Sequence, residues 1–145
     1  MSSGIVYEVV KMINAPLSFV YDWCTDFRED DPKLTGSTSK MKIIEKTDKR
    51  AVYSRDDIKD GRTLQTKSVV TMVPPDRWYL EAKGDVADYT GEYRLFQDGD
   101  ATRLEMKFTR KYKAERSPNI EHLQQFNNEF WDKLIEILEN EYHKK

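Results

Sequence analysis

Two adjacent carboxylates and one arginine are the charged residues best placed for acid–base or ion-pair chemistry. Asp56 and Asp57 lie in a predicted strand, where successive side chains point to opposite faces. Asp56 shares the phase of Val52 and Ile58, so we expect it to point inward, where burial would raise its pKa. Arg110 continues the inward phase of a later strand and could pair with a ligand carboxylate or an internal acid. Solvated positions at a strand edge or end are the alternative for both residues.

Aromatic side chains form the largest set of candidate site residues. Ligand pockets are mostly apolar with a few convergent polar groups, and tyrosine hydroxyls can supply those groups. Ordinary core packing is the alternative for any one of these side chains. The residues that we expect to line a shared cavity are Trp78, Tyr89, Tyr93, Met106, Phe108, Arg110, Phe130, Trp131 and Asp56.

Metal ligation and nucleophilic catalysis have little support in the residue pattern. His122 and His143 are separated by 21 residues of one predicted helix, or roughly 30 Å, so they cannot share an ion within one chain. Cys24 lies on the apolar face of another predicted helix, where a free cysteine acts as a small hydrophobic side chain. We therefore predict no metal site and no cofactor, and we assign no catalytic residue.

Composition favours a single domain over residues 1–145. The 24 basic and 26 acidic residues nearly cancel, and the net charge of −2 gives no attraction to nucleic acid. No stretch approaches the roughly 20 apolar residues that span a bilayer, and the N-terminus lacks signal-peptide features. A single cysteine forms no internal disulfide, so we expect a cytoplasmic protein without integral membrane association. The sequence does not indicate the oligomeric state.

The pattern of turns and apolar residues predicts one strand, two short helices and a run of antiparallel strands. Ile5–Ile13 is the first predicted strand, Ala15-Pro16 opens a helix, and Asp31-Pro32 starts a short helical turn. The tight turns that follow, such as Asp60-Gly61, predict hairpins. The further predicted strands cover residues 41–47, 50–59, 63–73, 77–83, 88–97 and 102–113.

A long amphipathic helix is predicted at the C-terminus. Ser117 suits its N-cap and Pro118 its first turn. Its apolar stripe needs a partner, and the preceding sheet is the only large one available. We therefore expect a sheet that curves around this helix and leaves a cavity between them. The predicted stripe consists of Ile120, Leu123, Phe126, Phe130, Trp131, Leu134, Ile137 and Leu138.

The order of these elements resembles the helix-grip fold of the START-like, or SRPBCC, superfamily. The segment INAPLSFVYD (13–22) looks like the opening signature of that family, and Asp26 occupies a position where members often carry an acidic residue. The resemblance covers about residues 5–142. It implies an α+β fold in which a curved antiparallel sheet of six to seven strands surrounds the C-terminal helix, with two short helices after the first strand.

The resemblance also implies the class of function. Family members bind lipids, sterols, polyketides or other hydrophobic molecules in the cavity, so we expect a non-catalytic protein that binds a hydrophobic or amphipathic small molecule. One alternative is an enzyme of the polyketide cyclase or dehydratase type, in which Asp56, Tyr89, Tyr93 or Arg110 acts as acid, base or electrostatic stabiliser. Another is a module that, like a co-chaperone, binds other proteins through its outer surface.

Overall fold

The computed structural model describes residues 4–113 and 119–144, with every side chain in those ranges except that of Lys59. Element bounds agree with the predicted ones to within a few residues. The elements are β1 Ile5–Ile13, α1 Leu17–Thr25, α2 Asp31–Leu34, β2 Lys40–Lys46, β3 Arg50–Lys59, β4 Arg62–Val73, β5 Arg77–Gly84, β6 Ala87–Asp98, β7 Ala101–Tyr112 and α3 Ile120–His143.

Within the described ranges, the strands form one curved antiparallel sheet in the order β1-β7-β6-β5-β4-β3-β2. Strands β2 to β6 each pair with the next strand along the chain, and β1 joins the sheet at the outer edge of β7. Asp60 and Gly61 have φ angles of 52° and 74°, the left-handed pair that suits the tight turn between β3 and β4. The predicted sheet is therefore confirmed, and it has seven strands.

One face of this sheet, which we call the inner face, carries the core. Along β7, Leu104, Met106 and Phe108 are buried, whereas the residues between them are more exposed and belong to the outer face. Trp131, Ile135 and Leu138 of α3 join the same hydrophobic core. Each such side chain contributes roughly 1.5–3 kcal/mol of gross transfer free energy when it is buried.

Side chains of α3 also bind the edge strand β1. Gln124 donates from Nε2 to the Glu8 carbonyl oxygen at 3.2 Å, and the Lys11 ammonium lies 2.8 Å from the Asp132 carboxylate. Because an unpaired strand edge exposes backbone groups to other chains, these contacts also protect the sheet edge. No helix of the described residues has the length and apolar content that crossing a bilayer requires.

The N-terminal turn of α3 differs from the sequence prediction. Ser117 and Pro118 lie outside the described residues, and the cap of the helix is Asn119, whose Oδ1 accepts a hydrogen bond from the His122 amide at 3.2 Å. The predicted apolar stripe was wrong at its first turns. Phe126 is 61% exposed and Ile120 is 46% exposed, whereas Leu123 packs against the core, so in these first turns the buried face of α3 is narrower than the predicted stripe.

Candidate ligand-binding site

A cavity of about 190 Å³ lies between the inner face and α3. Strands β2 to β6 form its floor, α3 forms one wall, and the segment from the end of α1 through α2 covers it. Apolar side chains dominate the lining. They are Trp23, Phe27, Pro32, Leu34, Met41, Val70, Trp78, Leu80, Phe130, Trp131 and Leu134.

Aromatic rings with fixed mutual geometry form the cavity wall. Trp78 and Tyr93 are neighbours across β5 and β6, and their rings stack at 4.9 Å with planes 7° apart. Trp131 of α3 lies 6.2 Å from the Tyr93 ring and meets Phe130 edge to face at 6.3 Å. Aromatic rings prefer such offset-stacked and edge-to-face arrangements with one another, and an added planar ring can meet these walls in the same ways. The wall therefore suits a flat apolar molecule.

All three tryptophans of the chain line the cavity. Trp23 comes from α1, Trp78 from β5 and Trp131 from α3. The indole Nε1 of Trp23 donates to Oε2 of Glu141 on α3 at 2.6 Å, which joins the two helices beside the cavity. The indole groups are therefore internal reporters of whatever enters this space.

Buried tyrosine hydroxyls provide neutral polar groups at the cavity. Burial raises the pKa of Tyr53 to about 12, and a hydrogen bond from Ser68 opposes this shift only in part. Burial also raises the pKa of Tyr93 well above its ordinary value. Because both phenols stay protonated at neutral pH, they can donate and accept hydrogen bonds but supply no negative charge.

A row of polar side chains crosses the inner face beside the cavity. Cross-strand partners connect Tyr53 to Ser68, Ser68 to Ala82, Ala82 to Tyr89 and Tyr89 to Arg110. Ser68 is 1% exposed and forms hydrogen bonds with the hydroxyls of both Tyr53 and Tyr89. The row satisfies buried polar groups that would otherwise be costly in the core.

Arg55 of β3 is the cation at the cavity with the most extensive side-chain network. Its Nη2 donates to the hydroxyls of Ser37 and Ser39 at 3.3 and 3.1 Å, and its Nε lies 3.4 Å from Oδ1 of Asp57. The Ser39 hydroxyl donates to the same carboxylate oxygen. The Arg55 and Asp57 side chains are 35% and 43% exposed, so water reaches this network.

A second ion pair lies in the segment that covers the cavity. Nε of Arg28 is 3.3 Å from Oδ1 of Asp31, and the Arg28 amide donates to the other carboxylate oxygen at 3.0 Å. Burial raises the pKa of Asp31, while the hydrogen bonds and charge of Arg28 act in the opposite direction. The charges of Arg28 and Asp31 therefore cancel each other within the lining. Among the described lining residues, Arg55 is the cation whose partner, Asp57, is not in the lining.

Comparisons with known proteins show the same architecture. No protein-family model matches the chain, and no curated protein matches it in sequence. The solved structure of Ara h 8.0201 superposes with a TM-score of 0.75 at 13% identity, covering 99% of this chain and 100% of that one. The Zhui aromatase/cyclase from Streptomyces sp. R1128 gives 0.73 at 14% identity, over 98% and 95% of the two chains.

A START superfamily protein from Mycobacterium smegmatis also matches, with a TM-score of 0.70 at 14% identity over 96% of this chain and 97% of that one. The chain has the helix-grip fold that these solved structures share. The resemblance found in the sequence is thus confirmed for the fold. At such low identity the likeness assigns no role to any residue. The function of the cavity between the inner face and α3, which we call the helix-grip cavity, must therefore be inferred from its own side chains.

The structure places four of the predicted site residues in the lining of this cavity. They are Trp78 and Tyr93 from the sheet and Phe130 and Trp131 from α3. Each belongs to an element whose apolar periodicity was visible in the sequence. The fold brings together residues that are more than fifty positions apart in the chain.

Four other predicted residues lie on the inner face but outside the cavity lining. Met106 and Phe108 are 2% and 7% exposed and belong to the packed core. The Arg110 guanidinium lies 5.1 Å from the Tyr89 ring centroid and forms a hydrogen bond with the Tyr7 hydroxyl. This end of the inner face is filled by side chains, and the helix-grip cavity opens instead over β3 and β4.

The predicted inward orientation of Asp56 is corrected by the structure. Tyr53 and Arg55 line the cavity, so the alternation of β3 places Asp56 on the outer face. Ile58, which shares the phase of Asp56, is 66% exposed. Near the cavity mouth, charged residues of β3 lie on the inner face and the apolar Ile58 lies on the outer face, so the alternation does not follow the usual pattern. The inward carboxylate of this strand is Asp57.

Sequence reasoning missed Tyr53, Arg55 and the covering segment from Phe27 to Thr35. Phe27 stacks on Tyr53 with ring centroids 5.6 Å apart, and Pro32 is buried. The available signal was the set of apolar residues Phe27, Pro32 and Leu34 within an otherwise charged stretch. Such isolated apolar residues in a polar loop indicate contact with something buried.

Cys24 contacts the helix-grip cavity but is a poor nucleophile. Burial raises the pKa of its thiol to about 12, and the thiolate is the reactive form. Among the described residues, no cluster of three His, Cys, Asp or Glu side chains could hold a metal ion. The cavity therefore presents neutral hydroxyls, one thiol and three charged side chains to a ligand.

Proposed function

We propose that this protein binds a hydrophobic or amphipathic small molecule in its helix-grip cavity. The observation that carries the proposal is the cavity of about 190 Å³ with aromatic walls from β5, β6 and α3. Mostly apolar lining with a few convergent polar groups is typical of small-molecule sites. The aromatase/cyclase and the START protein among the similar structures support a ligand-binding use of this fold by analogy.

The groups at the cavity support binding without a covalent step. The Cys24 thiol and the Tyr53 and Tyr93 phenols are held in their protonated forms by burial. Asp31 is engaged by Arg28, and Asp56, the one carboxylate named for the enzyme alternative, is on the outer face. A cyclase or dehydratase needs at least two inward groups that can exchange a proton near one open point. We therefore propose a binding protein.

A cavity-filling variant with a matched control tests this function. Val70 lines the cavity and is 1% exposed, whereas Val73 lies on the same strand and is 43% exposed. Val70→Phe should fill the space with a ring, and Val73→Phe should place the same ring in water. The probe is 2-naphthamide, a neutral bicyclic molecule that should bind with a dissociation constant on the order of 0.1–1 mM.

Binding can be followed by NMR through the tryptophan indole N–H signals, since all three tryptophans line the cavity. We expect 2-naphthamide to shift these signals in the wild type and in Val73→Phe. In Val70→Phe the affinity should fall at least tenfold while the protein stays folded. Equal binding by the two variants would place the probe elsewhere and refute the proposed site.

A further inference from the structure

We propose that the ligand of this cavity is a compact planar aromatic molecule with a carboxylate, which Arg55 binds. The inference rests on the proposed function, because it names the chemical class of the molecule that the same cavity holds. Three observations carry it: the size of the cavity, the geometry of its aromatic walls and the charge of its lining.

The size limits the ligand to a compact ring system. A dry apolar cavity of about 150 Å³ accommodates benzene, and the cavity here is about 190 Å³. One substituted ring or one fused pair of rings fills such a space. A sterol or an extended acyl chain would need a larger volume than the described lining provides.

The wall geometry selects a flat molecule. The parallel Trp78–Tyr93 stack stands on the sheet side, and Phe130 and Trp131 stand perpendicular to each other on the helix side. A planar aromatic ring can stack on one wall and meet the other edge-on. A flexible aliphatic chain makes no comparable use of these ring faces.

The charge of the lining selects an anion. Arg28, Asp31 and Arg55 are the charged side chains among the described lining residues, and Arg28 and Asp31 bind each other. Arg55 pairs with Asp57, whose carboxylate lies outside the lining, so the guanidinium is the charged group of this pair that a ligand in the cavity meets. Its planar guanidinium can bind a carboxylate through two parallel hydrogen bonds, which a neutral polar group cannot match.

The present partners of Arg55 hold its side chain in place without using all of its hydrogen-bond donors. Its distances to Asp57, Ser37 and Ser39 are 3.4, 3.3 and 3.1 Å, long for charge-assisted hydrogen bonds. Nε and Nη2 make these contacts, and within the described residues Nη1 has no hydrogen bond assigned to it. Asp57 competes with a ligand carboxylate for the same guanidinium.

The experiment compares 2-naphthoate with 2-naphthamide, which share one ring system and differ in charge. Affinities are measured at neutral pH from the indole N–H shifts in the wild type and in Arg55→Gln, Arg50→Gln and Asp57→Asn. Arg50 is the matched control because it lies on the same strand, is exposed and pairs with Glu45 at 3.7 Å. Palmitate is added as a carboxylate without a planar ring.

We expect the wild type to bind 2-naphthoate about tenfold to a hundredfold more tightly than 2-naphthamide. Arg55→Gln should abolish this preference, because it should weaken 2-naphthoate binding far more than 2-naphthamide binding, while Arg50→Gln should keep it. Asp57→Asn should tighten 2-naphthoate binding several-fold by removing the competing carboxylate. A variant that merely unfolded could not show that gain. Palmitate should bind more weakly than 2-naphthoate.

Equal wild-type affinities for the two naphthalene probes, or a preference that survives in Arg55→Gln, would overturn the inference and leave the proposed function standing. Palmitate binding more tightly than 2-naphthoate would overturn the compact aromatic class. If neither naphthalene probe bound, or if Val70→Phe did not weaken their binding, the proposed function would fail as well.

Discussion

Gly91 of β6 makes room for the Tyr93 ring on the inner face. A Cβ built at Gly91 would lie 2.8 Å from Cε2, 2.9 Å from the hydroxyl oxygen and 3.1 Å from Cζ of Tyr93. Carbon atoms in van der Waals contact prefer about 3.5–4.0 Å, so Gly91→Ala must displace the ring by roughly 0.5–1 Å. Trp78, Phe108 and Trp131 surround that ring with centroids 4.9, 5.7 and 6.2 Å away.

The cost of Gly91→Ala follows from this crowding. Overpacking of a core costs about 1–3 kcal/mol. The replacement of a strand glycine by alanine returns about 0.5–1 kcal/mol of backbone entropy. We therefore expect a net loss of about 0.5–2 kcal/mol in the free energy of unfolding. In a Tyr93→Leu background the ring is absent, and the same substitution should be neutral or slightly stabilising.

A double-mutant cycle with urea unfolding, followed by circular dichroism, measures the coupling between Gly91 and Tyr93. The wild type, the two single variants and the double variant give four free energies of unfolding. The expected coupling is about 1–3 kcal/mol. Additivity within about 0.5 kcal/mol would show that the two positions do not meet, and it would refute the ring placement on which the cavity wall depends.

Three further predictions test the fold and its titration. Trp131→Ala should lower the free energy of unfolding in urea by about 3–5 kcal/mol. Phe126→Ala should lower it by less than about 1 kcal/mol because Phe126 is 61% exposed. Similar losses in the two variants would contradict the orientation of α3. Asn119→Ala should cost about 1 kcal/mol through the lost cap, and an unchanged urea midpoint would mean that the helix is capped elsewhere. Stability should fall as the pH rises from about 10 to about 12, because the folded pKa of Tyr53 is raised to about 12 and the unfolded chain releases that proton first. Tyr53→Phe should remove roughly 2 kcal/mol of that fall in unfolding experiments across this range, and an unchanged slope would show that Tyr53 is not buried.

The strand and helix pattern was predictable because most faces follow simple alternation. Along β7, Leu104, Met106 and Phe108 alternate with charged residues, and that periodicity alone identifies the inner face. Tight turns such as Asp60-Gly61 mark the hairpins. The pairing of β1 with β7 was not predicted, because local patterns do not encode contacts between strands that are distant in the chain.

The cavity mouth was not predictable in the same way. On β3 the inner residues Tyr53, Arg55 and Asp57 include charged groups, while Ile58 lies on the outer face. A site that must meet water and a ligand reverses the apolar pattern that a packed core imposes, so periodicity assigned Asp56 to the wrong face. Local conflict of this kind is expected at functional sites.

The covering segment was hard to predict for a different reason. Phe27, Pro32 and Leu34 lie within a charged stretch whose structure depends on tertiary contacts with Tyr53 and the cavity. Phe126 shows the converse problem, since its helical periodicity predicts burial but its side chain lies outside the contact with the sheet and is 61% exposed. Sequence periodicity defines which face of an element is apolar, but not how much of that face its partner covers.

The most direct test of the binding cavity is the set of nuclear Overhauser effects between bound 2-naphthoate and the protein. The account predicts contacts from the probe to the indole protons of Trp78 and Trp131, on opposite walls of the cavity. Contacts confined to outer-face residues such as Val10 and Tyr79, which are 56% and 36% exposed, would contradict it.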